Sequence, residues 1–62
     1  MIIKNYEITL REVSPNDIHV GVLLNGKIRK SINVNGTIEE IEQALQTNSE
    51  LRKKIEEKIG EI

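Results

Sequence analysis

From Ile2 to Leu10 polar and apolar side chains alternate. Ile2, Tyr6, Ile8 and Leu10 share one parity with Lys4, and Asn5, Glu7, Thr9 and Arg11 take the other. A period of two predicts a half-buried strand. "VSPND", residues 13 to 17, ends it, because Pro15 fixes its own φ and Ser14, Asn16 and Asp17 favour turns. The stretch "IHVGVLL" predicts a second strand, with Ile18, Val20, Val22 and Leu24 on one face and His19, Gly21 and Leu23 on the other. "KIRKSINV", residues 27 to 34, predicts a third, with Ile28, Ile32 and Val34 in phase and Lys30 sharing that phase.

Register follows from keeping the faces segregated. The first hairpin then pairs Leu10 with Val20, Ile8 with Val22 and Tyr6 with Leu24. At Asn25-Gly26 a two-residue type I′ turn would oppose Val22 to Arg29 and Val20 to Ser31, mixing the faces. A three-residue loop with Gly26 left-handed in a G1 bulge pairs Leu23 with Lys27, Val22 with Ile28, Val20 with Lys30 and Ile18 with Ile32. That register is the expected one.

Asn35-Gly36 repeats the dipeptide, but apolar residues then fall at Ile38, Ile41, Ala44 and Leu45, a helical spacing. Thr37 and Glu40 have capping-box spacing, which makes Thr37 the N-cap. Thr47 and Glu50 repeat that spacing ahead of Leu51, Ile55, Ile59 and Ile62. Six residues separate Leu45 from Leu51, about 600° of helical rotation, so one straight helix would split the apolar stripe. A break at Gln46 to Ser49 and two helices result. The predicted fold is α+β, a three-stranded antiparallel meander over residues 1–36 followed by two helices, 37–62, packed on one face: βββαα in a single domain, 1–62.

Size sharpens this picture. A chain of 62 residues hides only about 60% of its extended surface, and so small a core seldom supplies more than about 3–5 kcal/mol without a staple. Cysteine is absent and His19 is the one histidine, so neither a disulfide nor a structural zinc site is at hand. Association with a second copy is the remaining source of stabilisation. "MIIKNYE" lacks the apolar core of a signal peptide, and no apolar run approaches the ~20 residues of a membrane span. A cytoplasmic location, away from membranes, is expected.

Net charge is −1, so no whole-molecule field draws in nucleic acid or anionic lipid. Residues 1–36 nevertheless carry a small basic excess and the helical part an acidic one. With helices over Tyr6, Ile8, Leu10, Ile18, Val20, Val22, Ile28, Ile32 and Val34, the other sheet face presents Glu7, Thr9, Arg11, His19, Gly21, Leu23, Lys27, Arg29, Ser31 and Asn33. Arg11, His19, Leu23, Lys27, Arg29 and Ser31 are the candidate binding residues on it. An antiparallel sheet commonly keeps one wet face for no functional reason. As a protein contact, Leu23 would anchor it. The stripe Leu51, Ile55, Ile59 and Ile62 offers a second route to self-association. Lys30, a charge in the core-facing phase of an edge strand, discourages uncontrolled strand pairing.

"NGKIRK" followed by "NGTIEEIEQAL" is similar to the basic hairpin and helix start of the DNA-binding domains of some tyrosine-family integrases, and of one class of plant transcription factors. The resemblance covers residues 18 to 45. It implies a sheet face entering the major groove, with Arg11, Lys27 and Arg29 as contacts and His19 and Ser31 supporting them. The chain departs from that pattern in having no aromatic side chain on the face and in its acidic helices.

Catalysis finds little material. His19 neighbours Thr9 and Ser31 on a flat sheet with no oxyanion donors. Glu39-Glu40 and Glu56-Glu57 diverge around a helix rather than forming acid–base dyads. One imidazole and scattered carboxylates do not make a metal site. No phosphate-loop glycine pattern occurs, and a ligand cavity of ~300 Å³ would consume the core. The reading is a non-enzymatic interaction module, self-associating, with no metal, no cofactor and no small-molecule substrate. Nucleic-acid binding through the open sheet face is the alternative.

Overall fold

The chain reverses after only three residues. In the computed structural model, which describes residues 1–62, Lys4 and Asn5 have φ of +49° and +71°, the two positive values of a type I′ turn. This turn joins β1 (Ile2–Ile3) to β2 (Tyr6–Ser14). β3 (Asp17–Leu24) and β4 (Lys27–Asn35) follow, then helices α1 (Ile38–Gln46) and α2 (Glu50–Gly60). The α+β class is as expected, but the antiparallel sheet has four strands in the order β1-β2-β3-β4, not three.

The early reversal corrects the phase of the N-terminus. Ile3 pairs with Tyr6 and Ile2 with Glu7, so Ile3 is buried in the core while Ile2 is 73% exposed. Continuous alternation across residues 2 to 10 had placed Ile2 inward. It failed because a two-residue turn resets parity. Lys4 in the apolar phase, followed by Asn5, which tolerates a left-handed backbone, was the signal of the break. Lys4 also meets Glu56 of α2 at 3.5 Å.

The β2–β3 hairpin has the expected register, with Ile8 opposite Val22 and Leu10 opposite Val20. The turn is tighter than expected. Ser14 pairs with Asp17 around Pro15-Asn16, and Val13 is left over as a bulge. Asn16 has φ +60°, and proline before a positive φ suits a type II turn.

The β3–β4 hairpin overturns the expected register. Asn25 and Gly26 have φ of +54° and +79° and form the two-residue turn, with Leu24 opposite Lys27 and Leu23 opposite Ile28. The extra residue needed to segregate the faces sits inside β4, at Arg29, beyond which Val22 pairs with Lys30, Val20 with Ile32 and Ile18 with Val34. A type I′ turn matches strand twist, and the bulge restores the phase two residues later. Ile32 and Val34 thus face the helices as expected. Ile28 does not, and is 61% exposed.

Asn35-Gly36 hands β4 to α1, and the Gly36 N–H donates to the Asn16 carbonyl at 2.9 Å. Thr37 is the N-cap: its Oγ1 accepts from the Glu40 N–H at 3.2 Å and donates to the Glu40 carboxylate at 3.2 Å. The second cap is Ser49, not Thr47. Ser49 Oγ accepts from the Arg52 N–H at 3.3 Å and donates to the Ala44 carbonyl. Thr47 instead ends α1, donating to the carbonyls of Gln43 and Ala44. Arg52 Nη1 donates to the Leu45 carbonyl at 2.6 Å. Together these donors satisfy carbonyls that a helix end leaves without partners.

Ile3, Ile8, Ile18, Val20 and Val22 of the sheet and Ile41, Leu45, Ile55 and Ile59 of the helices form the core, with Tyr6, Leu10, Ile32, Val34, Ile38 and Leu51 half-buried around it. The α2 stripe is therefore spent inside the fold. Ile55 has no exposed surface, Leu51 and Ile59 pack inward, and only Ile62 is largely exposed. The stripe is not the free self-association surface considered from the sequence. Ile55→Ala should cost about 2–5 kcal/mol, comparable to the whole stability of so small a domain. Circular dichroism should show a largely unfolded chain at 25 °C. A stripe used between copies would instead leave a folded monomer.

Candidate interaction surface

Pairing arranges the uncovered face of the sheet in rows that cross the strands. Ile2, Glu7, Leu23 and Ile28 form one row, Thr9, Gly21 and Ser31 the next, and Arg11, His19 and Asn33 a third. Ser14, Asp17 and Asn35 lie beyond them. Of the residues singled out from sequence, Arg11, His19, Leu23 and Ser31 share this face. Lys27 does not, since it pairs with Leu24 in the helix-side phase. Arg29 is the unpaired bulge residue. Lys27, Arg29 and Lys30 instead gather at one end of the edge strand β4.

The charge of the face changes accordingly. Its ionised groups are Glu7, Arg11 and Asp17, so it is not the moderately basic surface expected. Glu7 and Arg11 are exposed and belong to none of the three ion pairs, Lys4–Glu56, Arg52–Glu56 and Lys58–Glu61, which all involve helix residues. Sequence reasoning missed the apolar row. Ile2 was assigned inward through the overlooked Lys4-Asn5 turn, and Ile28 through the overlooked bulge. Both join Leu23, and Ile2 and Leu23 flank Glu7 in a shallow groove that the Asn25-Gly26 turn closes at one end.

At the centre of the face a side chain is excluded. A Cβ on Gly21 would stand 2.8 Å from Thr9 Oγ1 and 3.4 Å from a Leu23 methyl. Thr9 and Leu23 therefore lean over the glycine and bury it. His19 is half-buried between Arg11 and Asn33 and takes part in no side-chain hydrogen bond, so no partner orients its ring as a catalytic base.

On the helix side, Met1, Ile8, Leu10, Ile38 and Leu45 line a cleft of about 190 Å³ with Glu42 at its rim. It is smaller than the ~300 Å³ at which ligand pockets begin, whereas the open groove beside Glu7 measures about 510 Å³. No three His, Cys, Asp or Glu side chains converge on a point where a metal could sit. No helix is long and apolar enough to cross a membrane. Comparison of the chain with protein-family models, curated proteins and solved structures finds no match, so the surface must be judged on its own geometry.

Gly21→Ala should destabilise the fold by about 1–3 kcal/mol through overpacking. Thr9→Ala in the same chain should recover part of the loss. Urea midpoints of the two single variants and the double variant test this. Strictly additive costs would mean that Thr9 does not press on Gly21.

Proposed function

We propose that this protein is a non-catalytic interaction module that associates with a second copy of itself through the open face of its sheet. The observation that carries the reading is the row Ile2, Leu23, Ile28. Two β-branched aliphatic side chains there are 73% and 61% exposed, although the core needs every apolar group it can bury. They stand at the two edges of one sheet face, with Glu7 and the half-buried Leu23 between them, and exposed apolar side chains sharing a face are a feature of contact surfaces. A chain this short also gains from a subunit contact, because binding that favours the folded state adds directly to its stability. Absence of cysteine suits a reducing cytoplasm, where we place the protein.

Nucleic-acid binding draws less support from the geometry. Phosphate recognition needs cations gathered over the contact face. Here Lys27 lies on the other face, Arg29 stands in a bulge outside the paired rows, and Glu7 and Asp17 lie on the face.

Sedimentation of the wild-type chain from about 10 μM to about 1 mM, the range of weak contacts, should show a rise from 7.1 kDa toward twice that mass. Ile28→Lys should abolish the rise while leaving the circular dichroism spectrum unchanged. A wild-type chain that stays monomeric throughout, or an Ile28→Lys variant that associates equally well, would overturn the reading.

A further inference from the structure

We infer that the two copies meet open face to open face with their strands running in opposite directions, held by a reciprocal pair of contacts between Glu7 of each copy and Arg11 of the other. The inference rests on the self-association proposed above and fixes its geometry. Successive rows on a sheet face are about 6.8 Å apart, so the Glu7 row and the Arg11 row flank the Gly21 row at equal distances. A two-fold axis lying across the strands at Gly21 returns each strand over its own counterpart and exchanges the two outer rows. Glu7 then faces Arg11 of the second copy and Arg11 its Glu7. Leu23 lies over its His19 and Ile28 over its Asn33, so the apolar side chains are covered by imidazole and amide groups rather than by a second apolar row. Such an isologous contact is closed by symmetry.

The other symmetric choice, an axis along the strands, lays each row over itself. Glu7 would then meet Leu23 or Ile28 of the second copy, a desolvated carboxylate with no counter-charge, which is strongly unfavourable. Charge therefore selects the orientation. Both groups are unpaired within the monomer and free to serve. Thr9 and Leu23 cover the glycine at the axis, and sheets in aligned face contact sit about 10 Å apart and within about 30° of each other. In this arrangement Asp17 comes over the Asn25-Gly26 turn of the second copy.

The face measures roughly 400 Å² per copy by strand and row spacings, about half the area per partner of a standard stable interface. A micromolar or weaker, salt-sensitive complex is the consequence.

Charge reversal tests the orientation. Glu7→Lys and Arg11→Glu alter exposed positions, and in either variant alone like charges meet twice per dimer. Each should weaken self-association at least ~10-fold. An equimolar mixture of the two variants sets opposite charges together at both positions and should associate within ~3-fold of the wild type. Lys53→Glu, which makes the same change in net charge as Arg11→Glu on an exposed helix position, should self-associate like the wild type. A mixture no stronger than its components, or a Lys53→Glu variant weakened as much as Arg11→Glu, would overturn the inference. If the wild type associates, loses association with Ile28→Lys and ignores both reversals, the strand orientation alone is wrong. If the wild type never associates, the face itself is misassigned.

Discussion

Between the sheet and the helices lies one layer of aliphatic side chains, and every strand must deliver its share to that layer with a period of two residues. A single inserted residue moves all that follow to the other side. In this chain phase is adjusted by tight turns and two bulges, at Val13 and Arg29. Because the bulge falls at Arg29, Lys30, Ile32 and Val34 come in phase with Val22, Val20 and Ile18 while Ile28 is left outside. The composition of both faces follows from that phase.

Elements governed by long periodic runs were legible in the sequence. The β2–β3 pairing, the helical spacing from Ile38, the Thr37 cap and the break between the helices depend on local chemistry that residue types announce. Features that depend on where a single residue is absorbed were harder to read. Face segregation rightly demanded one extra residue in this hairpin, but placing it in the loop pairs Val22 with Ile28, whereas Val22 pairs with Lys30. Sequence alone did not say whether the turn or the strand would hold it, since Gly26 fits a G1 bulge as well as the second position of a type I′ turn. Lys4-Asn5 was missed because a two-residue strand shows too little alternation to reveal its own phase. At the second cap, Thr47 and Ser49 both precede Glu50, and the choice falls to Ser49 because it reaches the Arg52 N–H and the Ala44 carbonyl together.

The open face shows the same division. Arg11, His19, Leu23 and Ser31 were assigned to it correctly because the β2–β3 register was right and because Ser31 lies past the bulge. Lys27 and Arg29 were misplaced by the one residue at issue in the hairpin, and with them the sign of the surface. What looked like a basic sheet is a face with an acidic residue at either end and an arginine between, bordered by isoleucines that belong to neither the core nor the polar set. Aliphatic side chains combined with unpaired charges of both signs can complement themselves, whereas a uniformly basic face could not.

Strand order in the sheet is also strand order in the chain, and every sheet pairing joins neighbours across a turn of two residues. The loops that must close to build the sheet are therefore about as short as loops can be, with correspondingly little entropy to lose before the first contacts form. The helix pair then settles on the sheet and brings Ile55 and Ile59, from the far end of the chain, into the layer with Ile3. Such a topology places the domain toward the fast end of mixed α/β folding.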